Sequence, residues 1–267
     1  MSAEQSLREG KLIETMDELQ KRVKANPSDA QERMFLFQLL AVLGQWQRCA
    51  DQLAVAGQLD ASLLVLVELY RHAIAAEDTR GKVFAGAATP LLMGEPSPWT
   101  APLLEALRLV GSASYQPAAE LRDEALAQAS TCSGTINGDA FDWIADMDSR
   151  LGPCIEMIVD GKYLWTPFER IQSLKIEPPS DLRDAVWTQA IVTWTNGGQS
   201  PVLIPTRYPV QESDDDTIRL ARRTEWHEPI AGTYLGSGQR MLATNAGEYP
   251  LLEIRELQFE TPTPAAP

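Results

Sequence analysis

The sequence predicts an α+β protein, with helices gathered in its first half and an antiparallel, β-rich region in its second. Three observations predict this. Gly10 and Gly44 stand 34 residues apart, each opening an amphipathic stretch ("GKLIETMDEL", "GQWQRCADQL"), and that period is the spacing of tetratricopeptide-type helix pairs. Two pairs of short apolar runs flank Asp160-Gly161 and Asn196-Gly197-Gly198, the local chemistry of tight hairpins. Helices followed by strands, rather than alternating with them, mark α+β. The expected layout is a helical, tetratricopeptide-like domain at 1–134, a β-rich domain at 135–260 and a disordered tail, "TPTPAAP", at 261–267.

Each element has its own signal. In "SLREGKLIETMDELQKRVKANP", Leu7, Leu12, Met16, Leu19 and Val23 fall near one face of a 3.6-residue helix. Asn26-Pro27 ends it, because proline disfavours a helical residue before it. Ser28 or Asp29 then caps a second helix, "AQERMFLFQLLAVLGQW". Trp46 stands where such repeats tend to place an aromatic. The third unit, "ASLLVLVELYRHAIAAEDTRGKVFAG", keeps the helical pattern and loses the repeat pattern. After the Pro-rich "GEPSPWTAP" come two more helices, "PLLEALRLVG" and "PAAELRDEALAQAS", and then "TCSGTINGDA", read as a loop at the domain boundary. "CIEMIVDGKYLWTPF" and "WTQAIVTWTNGGQSPVLIP" are the two hairpins, "YPLLEIREL" is a last strand, and "GTYLGSGQRM" is a turn between strands.

Composition excludes several functions. A formal net charge of −14 and a pI near 4.6 argue against nucleic-acid binding, which needs basic surface, and against an anionic membrane surface. The opening "MSAEQSLREGKLIETMDELQ" is charged and lacks the apolar run of a signal peptide. "LLVLV" is far too short to span a bilayer. Cys49, Cys132 and Cys154 are scattered without metal or redox spacing, which fits buried thiols in a reducing, cytoplasmic setting.

Catalytic chemistry is sparse. The most charged stretch, "SDDDTIRLARRTEW" at 213–226, reads as a capped helix. Ser213 is the expected N-cap, Asp216 the partner in a capping box, and Asp215–Arg219 an i,i+4 pair, with Arg219, Arg222 and Arg223 toward the negative end of the dipole. Those arginines could instead face a partner's carboxylates. "FDWIADMDSRLGP" carries Asp142, Asp146 and Asp148. It reads as a short amphipathic helix with Phe141 and Ile144 inward, its acids solvated and Arg150 beside Asp146; a divalent cation is the sharper alternative. His72 and His227 have no metal spacing, and no nucleotide-binding or nucleophile-elbow motif is present. Trp143, Trp165, Trp187, Trp194 and Trp226 all fall in the second half, material for a core or for a binding hot spot.

Several long segments in order, "FDWIADMDSRLGPCIEMIVDGKYLWTPFERI", "EPPSDLRDAVW", "NGGQSPVLIPTRYP", "RLARRTEW" and "GQRMLATNAGEYPLLEIREL", resemble the ImpE family, also called TagJ, accessory proteins of bacterial type VI secretion systems. The resemblance covers nearly the whole chain and is strongest from Phe141 to Leu257. It implies a tetratricopeptide-like half packed on a β-rich half and a cytoplasmic, non-catalytic scaffold without cofactor or metal. It also implies a partner, the small subunit of the contractile sheath, bound through that subunit's N-terminal helix. Binding would bias how the sheath meets the AAA+ ATPase that disassembles it. The family pattern includes Trp143, Asp146, Arg150, Arg207, Arg222, Arg223, Trp226 and Arg240, which with Arg219 are the candidate partner-binding residues. Two other readings compete: a metal-dependent hydrolase built on Asp142–Asp148 with His72 or His227, and a general assembly chaperone.

Overall fold

The computed structural model of the chain describes residues 2–260, so the tail expected at 261–267 lies outside the described residues. Seven helices come first: α1 (Ala3–Arg8), α2 (Leu12–Ala25), α3 (Ala30–Val42), α4 (Trp46–Leu59), α5 (Leu64–Phe84), α6 (Thr100–Gly111) and α7 (Tyr115–Gln128). The 34-residue spacing is a structural repeat. Gly10 donates to the Leu7 carbonyl and Lys11 to that of Ser6; Gly44 and Gln45 repeat both bonds to Ala41 and Leu40. Gly10 and Gly44 hold φ of 75° and 69°, the left-handed cap in which glycine meets no Cβ penalty. The expected single helix from Ser6 therefore breaks at this cap, and Leu12, Met16, Leu19 and Val23 are its buried face. Asn26 closes α2, and Asp29, rather than Ser28, caps α3 through the Gln31 and Glu32 amides.

The β-rich half starts earlier than its loop-like sequence suggests. "TCSGTINGDA" contains a hairpin, β2 (Gly134–Ile136) and β3 (Asp139–Phe141), around Asn137-Gly138. Both turn residues have positive φ, 52° and 95°, as the primed hairpin turns require. Next come β4 (Ile144–Asp146) and the expected hairpins, β5 (Cys154–Val159) with β6 (Lys162–Pro167) and β8 (Trp187–Trp194) with β9 (Gln199–Pro205). β7 (Ile171–Ile176) joins β8. "YPLLEIREL" is not one strand: β13 (Glu248–Pro250) runs into a 3-10 turn at Leu251–Glu253 before β14 (Glu256–Phe259). "GTYLGSGQRM" holds two strand segments, β11 (Leu235–Gly238) and the start of β12 (Met241–Thr244), and β11 pairs with β10 (Thr224–His227).

Nine strands form one sheet in the order β1-β6-β5-β9-β8-β7-β14-β2-β3, where β1 is Leu91–Leu92 from the helical half. Its pairings are antiparallel except that β1 lies parallel to β6. Alternate residues of its central strands enter two apolar cores. Cys154, Ile158, Tyr163, Trp165, Trp187 and Leu203 join the core of the helices, while Ile155, Met157, Leu164, Val192 and Ile204 join a second core with Leu242, Leu251 and Leu257. Burial on both faces is why "CIEMIV" is apolar at every position but Glu156 instead of alternating.

Candidate functional site

Two places compete for a functional role, a buried polar network and an exposed apolar groove. Glu156, the lone acid of β5, sits on the helix-facing side of the sheet and is fully buried. Arg80 of α5 donates to it from Nε (2.6 Å) and Nη2 (3.1 Å), and the Tyr163 hydroxyl donates at 2.6 Å. Arg240 donates to Glu156 with Nη2 and to Asp146 with Nη1. Arg80 also meets Glu77 at 3.3 Å, and Glu77 accepts from the Trp187 indole at 3.0 Å. Asp146 accepts from the Tyr208 hydroxyl and the Asp148 amide, both at 2.9 Å. Burial alone would raise Glu156, but Arg80 and Arg240 outweigh it and hold the carboxyl at about 2. Asp146 shares Arg240 and faces Asp148, so burial pushes it up to about 6.

This network holds four of the nine candidate partner-binding residues, Asp146, Arg150, Arg207 and Arg240. Asp146 and Arg240 are buried at its centre. The "FDWIAD" stretch is the end of β3 and the whole of β4 joined at Asp142-Trp143, not an amphipathic helix, and Asp146 is paired rather than solvated. Arg150 pairs with Asp148, not Asp146, and its guanidinium lies 4.7 Å from the Phe84 ring centre. Asp148 is fully buried and also accepts from the Gly236 amide at 2.7 Å. Arg207 is buried as well and donates to the carbonyls of Ala41 and Arg219. The three aspartates do not converge. Asp142 is exposed and accepts from the Asn245 amide, while the other two are committed to separate arginines. Among the described residues no group of three or more His, Cys, Asp or Glu side chains could hold a metal. The Cys49 and Cys154 thiols are buried, and burial pushes both far above their ordinary value.

The charged stretch 213–226 turns out to be a clasp. Only Asp216–Arg219 is helical (α8), and its N-cap is Asp215, not Ser213. The expected capping box and Asp215–Arg219 ion pair are absent, since Asp216 points elsewhere: it accepts from the Leu12 amide at 2.9 Å, capping α2. Arg222 donates to the carbonyls of Arg8 (3.1 Å) and Leu7 (3.0 Å), closing the C-terminus of α1. Arg219 donates to the carbonyls of Asp214, Gln211 and Glu212, and Asp215 pairs with Arg223. Trp226 is half-buried against Tyr208, ring centres 5.6 Å apart. Trp143, 40% exposed, is the most accessible of the five tryptophans.

The groove escaped the sequence reading. It measures about 830 Å³ and runs between α5, which gives Leu69 and His72, and the β8–β9 hairpin, which gives Gln189, Ile191 and Pro201. Ile158 and Leu203 form its floor where α5 stops covering the sheet. Its Leu69 and Ile191 are 43% and 44% exposed, and Leu64 and Val65 in the first turn of α5, outside the groove, are exposed as well. Asp160, Glu177 and Asp184 line it too, and among the described residues no lysine or arginine does. No motif marked it, because its lining is gathered from α5 and the β8–β9 hairpin, far apart in sequence.

Comparison with known proteins agrees with this architecture. The profile of the family described as ImpE protein matches residues 138–258. A curated protein of Pseudomonas aeruginosa, the type VI secretion system accessory component TagJ, is 48% identical over 99% of this chain and 93% of its own length. The crystal structure of protein VPA1032 from Vibrio parahaemolyticus superposes with a TM-score of 0.88 at 26% identity, covering 97% of each chain.

Proposed function

This chain belongs to the ImpE/TagJ family, and from that premise we propose that it is a non-catalytic accessory component of a type VI secretion system. In this reading it holds the N-terminal helix of the small sheath subunit and so influences how the AAA+ ATPase handles the sheath. The observation that supports it is the groove beside α5, with its exposed Leu69 and Ile191 and its acidic lining. A helix is about 10–12 Å across with its side chains and rises about 5.4 Å per turn, so the groove's size suits roughly two turns. The complementary partner is amphipathic, with an apolar stripe and basic flanks.

The nine residues chosen from sequence divide under this reading. Asp146, Arg150, Arg207 and Arg240 hold the frame on which the groove is carried, and Arg219 and Arg222 tie the helical repeats to it. Trp143, Arg223 and Trp226 remain candidates for a second contact, because none of them lines the groove. A carboxylate-based hydrolase is the weaker reading, since Asp146 and Asp148 are each neutralised by an arginine.

Calorimetry with a synthetic peptide of the sheath subunit's N-terminal helix tests the proposal. A saturable one-to-one isotherm is expected, weakened at least tenfold by Leu69→Asp or Ile191→Asp and little changed by Trp143→Ala. Absence of binding to the folded chain would overturn it. Binding that several unrelated amphipathic helices compete away equally would favour a general chaperone.

A further inference from the structure

A second, smaller cleft of about 230 Å³ opens behind the Gly44 turn, between the first helical repeats and the loop that follows Tyr208. Its charged lining is three guanidiniums, Arg80, Arg207 and Arg219, against two carboxylates, Glu77 and Glu212. In a chain of net charge −14 that excess of cations is unexpected. Arg80 and Arg240 each bridge two carboxylates, and Arg150 has Asp148. Arg207 differs. It is 2% exposed and forms no ion pair among the described residues, donating only to the carbonyls of Ala41 and Arg219. The one buried carboxylate in the cleft, Glu77, is already occupied by Trp187 and Arg80.

A buried charge without a counter-ion is strongly disfavoured. Burial accordingly pulls Arg207 down to about 9, against the partial support of Glu77. A planar guanidinium is the side chain best matched to a carboxylate or phosphate, which it binds through two parallel bonds. The cleft falls below the roughly 300 Å³ at which pockets for larger ligands begin, which limits the occupant to a small group.

We propose that this cleft is a binding site for a small oxyanion, a phosphate or a carboxylate, held by Arg207 with Arg80 beside it. The site stands apart from the apolar groove and does not depend on the sheath-binding reading. It lies where α3 and α4 turn at Gly44, so an occupant bridges the helical repeats to the β-rich half. Trp46, whose ring centre is 5.9 Å from that of Trp187, lines the cleft and reports on it.

The test is thermal unfolding and tryptophan fluorescence of the full chain, titrated with sodium phosphate, sodium acetate or sodium chloride at matched ionic strength. A saturable rise in Tm of about 3 °C or more over chloride, with a matching fluorescence change, is expected for phosphate, acetate or both, and the comparison names the preferred oxyanion. Arg207→Met should abolish it. Because that variant could fail to fold, Gly81→Leu supplies an independent arm. Gly81 lies in α5 at the cleft, and a Cβ there meets nothing within 4 Å; the leucine fills the cleft while improving the helix. Its own Tm should be unchanged or higher, with the oxyanion effect gone. No saturable effect beyond chloride, or an undiminished effect in Gly81→Leu, overturns the proposal.

Discussion

Arg240→Met removes the guanidinium that Asp146 and Glu156 share and leaves an apolar chain of similar reach. Glu156 keeps two bonds from Arg80 and one from Tyr163, so it stays ionised. Asp146 keeps only the Tyr208 hydroxyl and the Asp148 amide, and its charge is stranded. Breaking a buried pair from one side costs about 3–5 kcal/mol, a large share of a total stability of about 5–15 kcal/mol. The loss carries a pH signature. Asp146 in the folded chain stands at about 6, above its ordinary value of 3.8, and without Arg240 it rises further. A carboxyl whose folded-state pKa is raised favours the folded state at low pH and penalises it as pH climbs, until the folded pKa is passed. In the parent chain that penalty is complete near pH 6; in the variant it continues to grow, by about 1.4 kcal/mol per pH unit. Urea unfolding followed by tryptophan fluorescence should therefore show a deficit that widens by about 2–3 kcal/mol between roughly pH 6 and 8. Adding Asp146→Asn should flatten the widening while leaving part of the deficit. A deficit independent of pH, or one below about 1 kcal/mol, would refute the assignment of Asp146 as a charge that depends on Arg240.

The helix caps and the clasp make two cheaper tests. Gly44→Ala should cost about 1 kcal/mol through backbone strain alone, because its Cβ meets nothing within 4 Å, whereas Gly86→Ala should cost clearly more, since its Cβ would lie 2.8 Å from the Arg108 carbonyl oxygen; chemical unfolding of the two variants gives the comparison. Asp216→Ala should lose about 1 kcal/mol by uncapping α2, and together with Arg222→Ala should speed amide hydrogen exchange in α1 and α2 while leaving β5, β8 and β9 protected. Equal exchange everywhere would mean that the clasp bears on the whole fold rather than on the first repeat.

Much of this fold was legible because its signals are local. The turns at Asp160-Gly161 and Asn196-Gly197-Gly198 need only backbone chemistry and two flanking runs, and both hairpins formed where they were expected. The Gly10–Gly44 period is likewise local, each glycine ending one helix with the same two hydrogen bonds. The hairpin at Asn137-Gly138 carries the same turn signal, but its strands are three residues each, too short to show alternation. "FDWIAD" misled for a related reason: Phe141 and Ile144 stand three apart, a helical spacing, yet they lie on two separate short strands, β3 and β4. The clasp was illegible in principle, since Asp216 caps a helix 204 residues away in sequence.

The same distinction explains why the most conspicuous sequence motifs are not the most available surface. A buried arginine or carboxylate must find its counter-charge at a fixed place in the frame. Arg240 has to reach Asp146 and Glu156 at once, so the residues around it are tightly specified and stand out as motif. The groove asks far less of each position. Leu69, Ile191 and Pro201 come from a helix and two strands, and any apolar side chain of similar size would serve there. A docking surface of this kind leaves no motif; it is visible only when the sheet and α5 are placed together and α5 is seen to end its cover short of the β8–β9 hairpin. On this reasoning, charge-altering substitutions in the network should act first on stability and only through it on binding. Leu69→Asp and Ile191→Asp, both at exposed positions, should leave unfolding within about 0.5 kcal/mol of the parent while removing the partner. Separation of the two effects would place recognition in the groove, and a joint loss would place it in the frame.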